Sequence, residues 1–258
     1  KFVEPCLKTT FADGVRDTVL HFVGADVQPG DKPTLRVTLR DDYYPLAVIL
    51  CYRAHEQHDL IERWVEISNE GETPVNLERA LSALWHLPGG GHYRLSYLTG
   101  RWFDEWQIRR EILQTGVKAI ESRRLTTSHA FNPWFALDRG GADERQGEVW
   151  FGVLAWSGNW KLLAEVTDAQ TTRVAIGVND WDFTWRLTGG ETFTTPSSLA
   201  GYTTSGFGAA SRTLHDYARD LLPHGKHVHP VLYNSWEAVF FDVSEASQIA
   251  VAERAAQM

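Results

Sequence analysis

His224, His227 and His229 follow the spacing His-x-x-His-x-His, which could bring three imidazoles to one zinc ion. No cysteine accompanies them, and the flanking Pro223-His-Gly-Lys-His-Val-His-Pro230 is polar and bent by its prolines, so the run reads as a solvated linker. Carboxylates pair at Asp41-Asp42 and at Asp180 with Asp182, the minimum equipment for general acid and base work. Each pair falls in a turn, where aspartate caps backbone N–H groups, and that reading takes precedence. Ser157-Gly-Asn159 stands between two apolar runs; Gly-Asn signals a hairpin, whereas a nucleophile elbow needs a strained serine followed by a helix. Tryptophan is the remaining type with chemistry to offer, and there are eleven. Indoles fill sandwich cores and domain interfaces, but one left open can stack on the apolar face of a sugar.

The elements that would position these residues are mostly strands. Alternation with β-branched and aromatic residues marks Asp17 to Gly24, Thr34 to Arg40, Leu46 to His55, Leu60 to Asn69, Val75 to Leu87 and Tyr93 to Trp102. It resumes at Trp134 to Arg139, Glu148 to Trp156, Trp160 to Asp168 and Arg173 to Asn179, with a Gly-Gly-Gly break at Gly89 to Gly91. So many strands with short connections predict an all-β fold, a large antiparallel β-sandwich. The period changes at Gly206. Leu214, Tyr217, Ala218, Leu221 and Leu222 share one helical face, giving a linker helix followed by the bend at Pro223 to Pro230. Trp156, Trp160, Trp181 and Trp185 have strand-like settings and read as core or interface.

At 258 residues the chain can bury a large core as one domain. Its net charge of -8, with basic residues scattered among acidic ones, argues against nucleic acid, which needs a clustered basic face. No apolar run is long enough to cross a membrane, and none is predicted as a partner. Cys6 and Cys51 are too few for a disulfide framework. One bridge stays open if strands bring them together; the favoured reading is two buried thiols in a reducing, cytoplasmic compartment.

Beyond the bend, Val231-Leu-Tyr-Asn-Ser-Trp236 reads as an apolar strand and is followed by a helical run to Met258. A parallel strand needs a helical crossover to a partner strand, and that partner is not in the sequence. The last helix has no Gly or Asn stop signal, so Met258 reads as a cut. Exposed Val231, Leu232, Phe240 and Phe241 would then promote self-association.

The segment Pro230-Val-Leu-Tyr-Asn-Ser-Trp-Glu-Ala238, with Phe240-Phe-Asp242 after it, resembles the start of the catalytic barrel in glycoside hydrolase family 36, the α-galactosidases. Tyr43-Tyr-Pro45, Gly100-Arg-Trp102 with Glu105, Glu121-Ser-Arg123, Asn132-Pro133, Ser157-Gly-Asn159 and Gly190-Glu191 with Pro196 agree in order. The resemblance implies a β-supersandwich over residues 1–205, a linker helix and bend over 206–229, and the first βα unit of a (β/α)8 barrel over 230–258. It implies a retaining hydrolase acting on terminal α-linked galactose in oligosaccharides of the melibiose and raffinose type, with no cofactor and no metal. Related families acting on α-linked N-acetylgalactosamine or transferring galactose share much of this pattern. The two catalytic aspartates of the family lie beyond Met258, so the chain alone is expected to be inactive. A homo-oligomer is expected from the same resemblance.

Two residues are singled out for sugar contact. Trp236 would sit at the carboxy-terminal end of the first barrel strand, where barrels build their sites. Trp102, after a glycine that permits a turn, would project from a sandwich loop. Burial at the domain junction competes for Trp236 and core packing for Trp102, while Asn234 and Glu237 read as structural. A free-standing carbohydrate-binding or subunit-assembly sandwich is the alternative function. The carboxy-terminal half unit speaks against it, because such a module has no use for an unpaired barrel strand.

Overall fold

The computed structural model of the chain describes residues 3–89 and 92–257. Gly90 and Gly91 of the triple-glycine break, and Met258, lie outside the described residues. In chain order the strands are β1 Leu7–Thr10, β2 Leu20–Gln28, β3 Thr34–Asp41, β4 Leu46–His55, β5 Leu60–Asn69, β6 Val75–His86, β7 Arg94–Arg101 and β8 Asp104–Ile112. They continue with β9 Gly116–Ser122, β10 Trp134–Asp138, β11 Val149–Leu154, β12 Trp160–Val166, β13 Thr172–Val178, β14 Trp185–Leu187, β15 Thr192–Thr194 and β16 Ser198–Thr203. Helices α1 Gly206–Leu221, α2 Trp236–Val239 and α3 Glu245–Ala255 follow.

The strands build two antiparallel sheets. One has the order β1-β6-β13-β12-β9 with β14 added to β6; the other runs β2-β3-β4-β5-β16-β11-β10-β7-β8 with β15 added to β5. This is the expected all-β sandwich. The inward residues alternate as a two-sided sheet demands: Leu95, Phe135, Leu137, Trp160, Leu162 and Ile176 form one core cluster, and Leu46, Val48, Ile67 and Leu77 a second. Each such side chain contributes about 1.5–3 kcal/mol through its burial.

Charge is also buried here. Arg79 donates to Asp180 and Glu4, and Lys161 pairs with Asp180 and Glu121. Asp180 is therefore no turn cap. That task belongs to its neighbour Asn179, whose Oδ1 accepts the Trp181 N–H at 2.9 Å. The turn reading holds at Asp41, whose Oδ1 accepts the N–H groups of Tyr43 and Tyr44, both at 2.9 Å.

Ser157-Gly-Asn159 does not make a hairpin. It leaves β11, which pairs with β10 and β16, and delivers the chain to β12, which pairs with β9 and β13 in the opposite sheet. The local turn signal is real, but the strands on either side find partners elsewhere. The cysteines are two free thiols, Cys51 buried and Cys6 half-buried.

The chain divides into two compact units, residues 1–217 and 218–258, with α1 running across the division. Within the first unit, Phe207, Ala210, Leu214 and Tyr217 of α1 pack on Leu60, Phe151 and Leu199, on the face of the ten-stranded sheet opposite the inter-sheet core. Tyr217 meets the His55 ring edge-on, with centroids 5.0 Å apart.

The second unit corrects an expectation. Residues 231–234 have no strand partner among the described residues and no regular secondary structure, and Trp236 opens the short helix α2 instead of ending a strand. A strand exists only where another backbone takes up its N–H and C=O groups, so an apolar run cannot form one alone. Val231 is accordingly fully open to solvent and Leu232 largely so. Helix α3 starts on a good N-cap, Ser244, whose Oγ accepts the Ser247 N–H at 3.3 Å.

Candidate functional site

The hairpin β7–β8 presents Trp102. Its register shifts between Thr99 and Arg101, and the turn Trp102-Phe103 joins Arg101 to Asp104. Gly100 is required by close packing: a Cβ there would stand 2.6 Å from the Asp104 carbonyl oxygen and 2.7 Å from the Glu105 Cα. The chain can tuck in and turn only because that atom is missing. Phe103 and Trp106 both take positive φ, 68° and 56°, a costly backbone for bulky residues. Trp102 and Phe103 stack obliquely at 4.3 Å, and Trp102, Phe103 and Trp106 are all exposed. Three large rings on a tight hairpin, two of them on strained backbone, form an open aromatic tip. Phe103 and Trp106 escaped the sequence reading. The signal was present as two aromatic residues in the turn and a third just beyond it, but the charged β8 hid the second strand.

Trp236 begins α2. Its backbone N–H is accepted by Asn234 Oδ1 at 2.9 Å, so Asn234 acts as a turn former. The indole meets Phe240 and Phe241 edge-on, at centroid distances of 5.6 and 4.9 Å, and keeps 41% of its surface. Phe240 itself has φ 48°. The ring is neither buried nor loose, being held by two aromatic neighbours with its remaining face free.

The buried carboxylates elsewhere are committed to cations. Asp138 accepts from Arg94 Nε at 2.9 Å, Glu165 meets Arg173 at 2.6 Å, and Glu62 meets His55 at 2.9 Å and Arg53 at 3.2 Å. For Glu62, burial pushes the carboxyl upward, but hydrogen bonds from Ser197 and His55 outweigh it and leave the pKa below the usual range. Glu66 is held low chiefly by its hydrogen bonds from Arg36. A carboxyl that must protonate a leaving group needs its pKa raised, so these groups are fitted to structure and not to proton transfer. His224 and His227 lie with rings 5.0 Å apart, and no group of three His, Cys, Asp or Glu with metal-holding geometry occurs among the described residues.

Of the four tryptophans read as core or interface, Trp160 is fully buried, whereas Trp156, Trp181 and Trp185 keep 43%, 55% and 49% of their surface. These three are therefore not core; all stand just outside or at the end of a strand, where alternation no longer fixes a face.

The Glycosyl hydrolase family 36 N-terminal domain matches residues 1–188, and the Melibiase family matches residues 192–258. Alpha-galactosidase AgaA of Geobacillus stearothermophilus is 39% identical over 228 residues, covering 87% of this chain and 31% of that protein. Probable alpha-galactosidase G of Aspergillus terreus is 34% identical over 231 residues, 88% of this chain and 32% of its own length. The chain thus spans about a third of the length of these relatives. Among solved structures, the AgaA crystal structure superimposes with a TM-score of 0.90 at 34% identity, covering 99% of this chain and 38% of that one. A variant of AgaA solved in complex with raffinose matches with the same score, identity and coverage. The alpha-galactosidase from Lactobacillus brevis gives 0.90 at 29% identity, covering 99% of this chain and 37% of that one.

Proposed function

This chain belongs to glycosyl hydrolase family 36, and from that premise we propose that it is the amino-terminal part of a retaining α-galactosidase that removes terminal α-linked galactose from oligosaccharides of the melibiose and raffinose type. The observation that carries the reading is the unbroken succession of two family matches, residues 1–188 and then 192–258, on a fold shared at a TM-score of 0.90 with AgaA. On this reading residues 1–205 are the supporting sandwich, 206–229 the linker and 230–258 the start of the barrel.

Retaining hydrolysis places two carboxyl groups about 5 Å apart across the scissile bond, one attacking the sugar and one protonating the leaving oxygen. Both come from barrel segments outside these 258 residues, and the chain alone is inactive. The commitment of Asp138, Glu165, Asp180 and Glu62 to Arg94, Arg173, Arg79 and Arg53 supports this. Trp236 provides a stacking face for galactose, and Trp102 at the hairpin tip is, by itself, a second candidate for aromatic contact with the oligosaccharide. The working form is a homo-oligomer in the cytoplasm, in keeping with two free thiols.

The test is hydrolysis of an aryl α-galactoside by this chain beside a version extended through the remaining barrel. Activity is expected in the extended protein alone, and Trp236→Ala in it should lower kcat/KM by about tenfold or more, as loss of an aromatic contact does. Turnover by the 258-residue chain itself would refute the assignment of the chemistry to the barrel.

A further inference from the structure

Three loops meet at one end of the sandwich, because Trp160 at the start of β12 pairs with both Ser122 at the end of β9 and Val178 at the end of β13. One carbonyl gathers them. Asn159 O accepts the Trp156 indole Nε1 and the Asn179 N–H, both at 3.1 Å, while Asn159 Oδ1 accepts the Leu125 N–H at 2.6 Å. Asn179 is buried, its Nδ2 donating to Glu121 Oε2 and to the Ser122 and Trp160 carbonyls, and its Oδ1 holding the Trp181 N–H.

This frame fixes two indoles with one face occupied and part of the ring open. Trp156 lies against Gly158, where a Cβ would come within 2.8 Å of Nε1. Trp181 carries the Arg123 guanidinium 3.9 Å from its ring centroid. Leu125, whose N–H Asn159 Oδ1 holds, stands on strained backbone, φ 63°, with 85% of its surface exposed. The fold stabilises this arrangement without burying it, which is the mark of a surface kept for contact.

We propose that the loops 123–127, 155–159 and 179–182 form a carbohydrate-binding surface beyond the galactose site, with the open faces of Trp156 and Trp181 stacking on pyranose rings of an oligosaccharide. A pyranose offers an apolar C–H face edged by hydroxyl groups. The loops offer partly open indoles together with the Arg123 guanidinium, which lies over the Trp181 ring and pairs with Glu121, and the exposed residues Ser157 and Thr126. The rings are held in place before binding, so little side-chain freedom is lost on contact. A protein partner would call for a continuous apolar patch, whereas here, apart from Leu125 and Ala155, the loop residues beside the two tryptophans are polar or glycine. The surface lies at the same end of the sandwich as the Trp102 turn, since β7 and β11 both flank β10 antiparallel and end beside its start. The ligand class, an α-galactoside oligosaccharide, rests on the reading above.

The test is fluorine NMR of this chain labelled with 5-fluorotryptophan during a stachyose titration, with resonances assigned through Trp156→Phe, Trp181→Phe and Trp236→Phe. The Trp156 and Trp181 signals are expected to shift saturably while that of buried Trp160 stays fixed, and the double variant Trp156→Ala/Trp181→Ala should weaken binding at least tenfold. The unsubstituted protein carries the decisive readout, so a variant that fails to fold does not blunt the test. A Trp156 and Trp181 response with no change at Trp236 would uphold this surface while the galactose contact fails; the reverse would overturn it and leave that contact standing. Loss of self-association in the double variant, with no sugar response in the parent chain, would make the surface an interface between copies and overturn the proposal.

Discussion

Arg79 donates from Nε to Asp180 Oδ2 at 2.7 Å, across 101 residues of sequence. The contact ties β6 to the loop after β13, and both side chains are nearly buried. Each charge also has a second partner, Glu4 for Arg79 and Lys161 for Asp180, so the two stand in one buried network.

Asp180→Asn should therefore destabilise the chain by about 3 kcal/mol, because it leaves Arg79 and Lys161 facing a neutral amide in a buried setting. Urea unfolding followed by tryptophan fluorescence measures this. A loss below about 0.5 kcal/mol, the range of an ordinary surface change, would show that water screens the network.

The same group sets an acid limit. Burial pushes the Asp180 carboxyl up, but the hydrogen bonds from Lys161 and Arg79 prevail and hold its pKa below the usual value. A lowered pKa means stability that is fully present above the unfolded value of about 3.9 and lost as pH falls through the folded one. Glu62 and Glu66 shift in the same direction. Unfolding free energy should be flat from pH 7 down to about 5 and drop below about 4, with a shallower drop in Asp180→Asn. An equal slope in both would remove Asp180 from the cause.

The thiols should separate by reactivity. Burial first, then the Glu66 charge, pushes the Cys51 pKa up to about 12, so almost no thiolate forms near neutrality. Cys6 is also raised, again mainly by burial, but is half-exposed and so open to reagent. A disulfide reagent at pH 8 should titrate one thiol in the folded chain and two in denaturant. Two fast equivalents in the native state would mean that the sheet around β4 opens readily.

Gly100→Ala should cost about 1–3 kcal/mol, the penalty of forcing an extra atom into a packed site. The obstructing atoms are backbone, at 2.6 and 2.7 Å, and cannot rotate away. Thermal melting reads the loss, and a neutral result would mean that the aromatic tip is not anchored through this contact.

Self-association should follow the second unit's open apolar residues. Leu232→Ser with Phe241→Ser should shift sedimentation toward monomer, since both are largely exposed. An unchanged distribution would place the contact elsewhere.

The fold was legible where two-sided burial imposes alternation. β4 and β5 run over Leu46–His55 and Leu60–Asn69, the limits their patterns predict, because both strands carry a regular inward face over ten residues. β8 was not legible: Arg110 interrupts the alternation of its exposed Trp106, Ile108 and Ile112, leaving no two-residue period. The three-residue strands β14 and β15 are too short to show any period. The Asp180 network could not be read locally, since its partners Arg79 and Lys161 are brought in by strand order and not by spacing. The aromatic tip was half visible, in Gly100-Arg-Trp102, because a glycine before an exposed ring marks a turn, while nothing local shows that Phe103 and Trp106 take positive φ.

The ten-stranded sheet has a late keystone. β16, residues Ser198–Thr203, lies between β5 and β11 and pairs with both, so the four strands β2 to β5 and the four strands β7, β8, β10 and β11 meet only through it. Because β16 follows both halves in sequence, neither β5 nor β11 can complete this pairing until Ser198–Thr203 has been made. Closure is thus a long-range event, slow by nature and open to aggregation until it happens. Nascent chains stopped before Ser198 are where chaperones would find the most to hold.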